Sequence, residues 1–225
     1  MKLIGIETAT DSCSVALWQN GTVLEHFEMA PRRQTERVLP MVAALLAEAG
    51  LTPAQLDGVA FGRGPGAFTG VRVAVAVAQG LAFSIDRPVL GISTLASAAL
   101  AAFDRGAQGP LLTAFDARMN ELYLAVYEQQ GSDGVHALVA DCLASPTTLP
   151  TLPAQVQMGT GSGEVHREAL QRALPGLQQW LPDGYPRAAT IVRLAAPGFA
   201  AGEGVAAAQA RPVYLRDQVI QGARQ

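Results

Sequence analysis

The sequence predicts an α/β protein made of a duplicated unit, in which a mixed β-sheet is covered by helices. Three observations carry that prediction. Residues 1–107 read in the order βββαβαβα, an alternation that yields a mixed sheet with helices against its faces. A second strand, acid, turn and returning strand begin near residue 110. The 225 residues are 49% hydrophobic and 16% charged, enough to bury a substantial core without long polar tracts.

The elements follow in order. KLIGIET, CSVALWQ and TVLEHFE are short β-like runs separated by ATDS and by Asn20-Gly21, a strong hairpin signal. From Glu36 to Ala49 the apolar positions Val38, Met41, Val42, Leu45, Leu46 and Ala49 recur at helical spacing, and Gly50 supplies a stop. Pro40 removes one backbone donor, so it is expected to kink that helix or mark its first turn. A strand at Gly58 to Phe61 leads into the glycine-rich GRGPGAFTG and a long apolar segment, then a strand at Pro88 to Ile92 and a helix from Thr94 to Phe103. Val71, Val73, Val75 and Val77 alternate as in a strand, yet alanines fill the gaps and the run of about sixteen residues suits a helix better. A helix apolar all round must be covered all round.

Aligning LIGIETATDSCSVALW with LLTAFDARMNELYLAVY places Glu7 over Asp116 and Val15 over Leu124, which divides the chain into residues 1–107 and 108–225; the alternative is the chance likeness of any two β-hairpins. The repeat decays after Tyr127. QVQMGTGSG reads as strand and loop and GEVHREALQRAL as a helix, with irregular chain between, and the final segment is free to return to the first half. The softest stretches are PTTLPTLPAQ near 150 and the tail after Asp217.

Several function classes are disfavoured. A net charge of −3 is a poor footprint for holding nucleic acid unaided. Cys13 and Cys142 have no metal-ligand spacing, and His26, His136 and His166 lie in unrelated segments without a second ligand nearby. MKLIGIETAT lacks the pattern of a secretion signal, and the most apolar run is shorter than the ~20 residues of a membrane span, so a soluble cytoplasmic protein is expected.

Two places invite a chemical reading. Glu7-Thr8-Ala9-Thr10-Asp11-Ser12 sets a carboxylate at a strand end before small hydroxylated residues, which is what a metal–phosphate site needs, although a polar hairpin turn is the simpler reading. Asp116 and Arg118 occupy the corresponding place in the second copy, with a local ion pair as the alternative. GRGPGA fits a loose dinucleotide pattern, but Pro65 deletes a donor within it and Asp86 precedes the next strand instead of ending it. A phosphate loop of the Walker type fails because the only lysine is Lys2.

GIETATDSCSVAL, FGRGPGAFTGVR, GISTLA, DARMNELYLAVY and PVYLRD, in this order and over nearly the whole chain, resemble the TsaB (YeaZ) family of bacterial tRNA threonylcarbamoyladenosine (t6A) biosynthesis proteins. The resemblance implies the duplicated actin-like (ASKHA) fold of sugar kinases, actin and heat-shock ATPase domains, here with a degenerate second half. It implies a non-catalytic scaffold that binds and activates a catalytic paralogue, TsaD, with the small ATPase TsaE joining and tRNA met only through the complex. The paralogue's metal-binding H-x-x-x-H pair falls on Thr94 and Ala98 here, neither of which binds iron or zinc, so no catalytic or metal residue is expected. The implied partner interface is Val38, Val42, Leu45 and Leu46 of the first helix with Phe68, Val71, Ala74, Val75, Ala76 and Ala78 of the second, and a lone chain could use it for a homodimer. Glu7, Thr8, Thr10, Asp116 and Arg118 would be a vestigial nucleotide site, with no resident cofactor and at most weak or shared ATP or ADP binding. The alternative is a self-sufficient small-molecule kinase or ATPase of the same superfamily, working with Glu7, Thr8, Thr10 and Asp116.

Overall fold

The computed structural model describes Met1 to Arg216; the tail after Asp217 and the last residue of PVYLRD lie outside the described residues. Two five-stranded sheets form the frame. The first contains β1 (Lys2–Glu7), β2 (Ser12–Gln19), β3 (Thr22–Met29), β4 (Gly58–Gly62) and β5 (Val89–Ile92) in the order β3-β2-β1-β4-β5. The second contains β6 (Leu111–Arg118), β7 (Glu121–Gln130), β8 (Gly134–Ala144), β9 (Met158–Thr160) and β10 (Gln179–Leu181) in the order β10-β9-β6-β7-β8. Read from the other edge, the second order repeats the first strand for strand. Each half opens with an antiparallel meander and continues with two parallel strands. The duplicated actin-like architecture is therefore present in both sheets.

The degeneration of the second half lies in its helices. In the first half α1 (Gln34–Glu48) links β3 to β4, α2 (Phe68–Ser84) links β4 to β5, and α3 (Thr94–Phe103) follows β5. In the second half no helix joins β8 to β9, a 3-10 turn (Ser162–His166) and the short α4 (Arg167–Ala173) join β9 to β10, and α5 (Ala188–Ala200) follows β10. The stretch after Tyr127 is more regular than expected, since it holds the eleven residues of β8. Pro40 stands past the first turn of α1, in the helix interior.

Both hairpins depend on left-handed backbone. Asn20 and Gly21 have φ of 52° and 93°, the two positive values that a two-residue turn between β2 and β3 requires. Arg118, Met119 and Asn120 at the β6–β7 turn have φ of 64°, 55° and 57°. Three successive side-chain-bearing residues in that region are costly and must be held from outside. Arg216 does so, donating to the Ala117 carbonyl at 3.1 Å and to the Glu121 carboxylate.

Helices α1 and α2 cover one face of the first sheet, where Ile4, Ile6, Val15, Val59 and Phe61 meet Val38, Leu45, Ala74 and Ala78. Its other face, Leu3, Ala16 and Ala60, is covered by Ile191, Val192 and Ala195 of α5, a helix from the second half. Conversely, α3 from the first half packs Leu95, Ala99 and Phe103 on Leu111 and Phe115 of the second sheet. Ser97 and Thr190 join these two helices by a hydroxyl hydrogen bond of 2.7 Å.

Candidate functional site

The carboxylate that ends β1 is fully enclosed. Glu7 and Thr8 have no solvent exposure. Glu7 Oε1 accepts from the Ala9 amide at 2.6 Å and Oε2 from the Thr94 hydroxyl at 3.2 Å. Burial pushes the Glu7 carboxyl up to about 7, against the opposing pull of the Ala9 amide and the Thr94 hydroxyl. The Thr8 hydroxyl donates to the Gly70 carbonyl at 2.7 Å, while Thr10 shares a 2.9 Å hydrogen bond with Ser12.

The glycines of GRGPGAFTG explain this closure. A Cβ on Gly62 would run into the Glu7 carboxylate, one on Gly66 into the Ala9 carbonyl oxygen and one on Gly70 into the Thr8 carbonyl oxygen. The loop and the first turn of α2 thus lie directly on the β1–β2 turn, with the room a side chain would need taken by the Glu7 carboxylate at Gly62 and by backbone at Gly66 and Gly70.

Asp116 and Arg118, the remaining two residues of the suggested nucleotide site, make their contacts with each other and with His166. Asp116 accepts from the Arg118 amide at 2.8 Å, pairs with the Arg118 guanidinium at 3.0 Å and has His166 Nε2 at 3.8 Å. Among the described residues no hydrogen bond or ion pair joins this group to Glu7, Thr8 or Thr10. Thr94 and Ala98, both at 0% exposure, sit in α3, and no cluster of three or more potential metal ligands exists among the described residues.

The other candidate is a surface. On α2 the residues Phe68, Arg72, Ala76, Gly80 and Phe83 follow one another at helical spacing and all face out. Alongside them, Leu39 and Val42 of α1 with Ala76, Val77, Gly80 and Leu81 of α2 line an apolar groove of about 330 Å³. On the far flank the Gln79 amide donates to the Ala210 carbonyl at 3.1 Å, and Arg72 Nε donates to the Tyr214 hydroxyl at 2.7 Å. Leu39, Phe68, Phe83 and Tyr214 are exposed by 59%, 54%, 82% and 45%, so large apolar side chains border the face. A second groove, about 510 Å³ between β3 and α1, is lined by Glu28, Arg37 and His26. Its polar side chains are already paired, Glu28 with Arg37 and His26 with Glu48.

Burial divides the expected interface residues into two groups. Val38, Leu45, Leu46, Val71, Ala74, Val75 and Ala78 lie in the chain's own core, between the helices and the first sheet, and cannot form the outer layer of a contact. Val42 is buried yet lines the groove, and Phe68 and Ala76 face out. Sequence reasoning named none of the exposed Leu39, Arg72, Gly80 and Tyr214, nor Val77 and Leu81, which are half-buried against the core while lining the groove. Leu39 could have been found, because it falls off the buried stripe of α1; Tyr214 reaches α2 only through the fold.

A family model described as TsaD, tRNA N6-adenosine threonylcarbamoyltransferase, matches residues 26–172. The chain is 38% identical to the tRNA threonylcarbamoyladenosine biosynthesis protein TsaB of Escherichia coli, over 97% of this chain and 96% of that one. It is 36% identical to the TsaB of Haemophilus influenzae, over 97% and 95% of the two chains. A tRNA N6-adenosine threonylcarbamoyltransferase of Sorangium cellulosum is 28% identical over 96% of this chain but only 60% of its own length. Among solved structures, YeaZ from Pseudomonas aeruginosa superposes with a TM-score of 0.87 at 39% identity, covering 95% of this chain and 99% of that one.

Proposed function

Since the chain belongs to the TsaB family of tRNA threonylcarbamoyladenosine biosynthesis proteins, we propose that it serves t6A formation as a non-catalytic subunit, docking and activating the catalytic paralogue TsaD through the outer face of α1 and α2. The observation that carries this reading is that face: an apolar groove between two helices, bordered by Leu39, Phe68 and Phe83, with small residues Ala76 and Gly80 at its centre. Small residues let a partner helix come close, and large apolar ones at the border supply contact area. A lone chain can cover the same face with a second copy. TsaE joins the pair, tRNA is met only through the complex, and the complex acts in the cytoplasm. No helix among the described residues is long and apolar enough to cross a membrane.

A self-sufficient kinase or ATPase is the weaker reading. Glu7 and Thr8 are sealed and hydrogen-bonded to the protein itself, so a nucleotide meets none of their polar atoms without displacing the glycine loop. ATP or ADP binding by the chain alone is accordingly weak at most. The test is reconstitution: the chain alone, the paralogue alone, and both with the ATPase are assayed for threonylcarbamoylation of tRNA. Activity is expected only in the combined mixture. Product from this chain alone, or undiminished product when it is left out, refutes the proposal.

A further inference from the structure

Among the described residues two arginines lie against a phenylalanine ring. The Arg187 guanidinium stands 4.2 Å from the Phe27 centroid, and its Nε and Nη2 donate to Glu25 Oε2 at 2.8 and 2.6 Å. The ring fixes the guanidinium and a carboxylate takes its edge. Arg72 repeats only the first part. It stands 3.5 Å from the Phe68 centroid and 5.6 Å from that of Tyr214, and its Nε is occupied by the Tyr214 hydroxyl. Among the described residues it enters no ion pair.

We infer that Phe68, Arg72 and Tyr214 form a ready-made receptor for one carboxylate of the docked partner, an Asp or Glu side chain set in an otherwise apolar helical surface. The inference rests on the docking reading above and adds a specific anchor to it. With Nε occupied, the two Nη groups are left as donors, and a carboxylate fits that fork. The two rings hold the fork in place before the partner arrives, so little side-chain freedom is lost on binding. Position is the second argument. Arg72 lies one helical turn before Ala76, so the groove and the receptor form one continuous face. A partner whose apolar side chains fill the groove carries its acid about one turn away. An RNA phosphate would satisfy the same fork, but the apolar surroundings and the chain's net charge of −3 favour a single carboxylate over a polyanion.

The test exploits a property of the sequence, whose only lysine is Lys2. Arg72→Lys introduces an amine at the receptor, and a water-soluble carbodiimide couples it to an adjacent carboxylate as an amide, the carbodiimide taking up the water as a urea. Bound to the paralogue, the variant is expected to give a cross-linked heterodimer whose joining peptide contains residue 72 and an Asp or Glu of the partner; wild type gives none there. Arg72→Gln is expected to stay folded, weaken assembly at least tenfold and flatten its dependence on salt. An Arg72→Lys complex that forms but never cross-links at 72, or an Arg72→Gln chain that binds like wild type, overturns the receptor. If Arg72→Gln loses tRNA while binding the paralogue normally, the anion is a phosphate and the inference fails. Ala76→Arg separates the two readings: if it blocks assembly while Arg72→Gln does not, only the receptor falls, and if Ala76→Arg assembles normally, the docking face itself is wrong.

Discussion

Ala76→Arg is the sharpest perturbation of the proposed face, because the structure fixes what it should do in each state. Ala76 is exposed and lines the groove, whereas Ala74 and Ala78, two residues away on either side, have 0% exposure. In the free chain an arginine at 76 points into water, and arginine is nearly as good a helix former as alanine, so the cost is a few tenths of a kcal/mol, on the order of 0.3. In the assembled state the guanidinium is trapped in a dry helix–helix contact without a partner, at roughly 3–5 kcal/mol. At 1.4 kcal/mol per tenfold, the dissociation constant should rise by about two to three and a half orders of magnitude. Ala74→Arg and Ala78→Arg instead force the charge into the core of the free chain, a penalty comparable with a typical total stability of about 5–15 kcal/mol. Circular dichroism melts and calorimetric titration with the paralogue distinguish the three. The expected pattern is a folded, non-assembling Ala76→Arg beside two variants that do not fold. An Ala76→Arg chain that binds within threefold of wild type would refute the reasoning.

Further outcomes follow from the enclosed parts of the structure. Glu7 has its folded-state carboxyl raised to about 7 from 4.5 by burial, so the folded chain holds a proton that the unfolded chain has lost between those values. Stability from this group is therefore greatest below 4.5, falls as pH rises towards 7 and levels off above, by roughly 3 kcal/mol in all; urea melts of Glu7→Gln should lose that slope and be more stable than wild type at pH 8. Gly70→Ala drives a methyl into the Thr8 carbonyl oxygen and should cost several kcal/mol, about 3 or more, whereas Gly80→Ala meets nothing within 4 Å and should raise the free chain's stability by about 0.5–1 kcal/mol; equal thermal shifts for the two would contradict the packing account. The buried hydroxyls of Thr113 and Thr160, opposite each other on β6 and β9, have no hydrogen-bond partner among the described residues, so Thr113→Val should be neutral or stabilising by about 1 kcal/mol in denaturant melts, and a clear loss would show the hydroxyl to be satisfied.

Much of this was legible in the sequence, and the reasons it stopped are physical. The first half reads correctly because its signals are local: Asn20-Gly21 fixes a hairpin, Gly50 ends α1, and Gly66 and Gly70 mark backbone held close to backbone. The apolar run from Val71 to Phe83 is a helix despite its alternating valines, since length and alanine content outweigh the period. Its facing was not legible. A helix apolar on nearly every side carries no asymmetry to say which stripe meets the sheet, so Ala74 and Ala76 look alike until the fold separates them. Helix α5 escaped notice because Pro197 and Gly198 interrupt its last turn, and β8 because its exposure alternates only weakly at a sheet edge. The receptor was hidden for another reason: Arg72 and Tyr214 are 142 positions apart.

The exchange of α3 and α5 between the halves bears on how the chain is made. On the ribosome the five strands of the first sheet and helices α1 and α2 are all present once residue 92 has emerged, but Leu3, Ala16 and Ala60 then present a bare apolar face until Ile191, Val192 and Ala195 of α5 cover it. At roughly 5–20 residues per second, several seconds separate the two events. During that interval α3 is equally without its own seat, because Leu111 and Phe115 have yet to form the sheet beneath it. Neither half can therefore be finished independently of the other, and the apolar face of the first sheet stays open until α5 arrives.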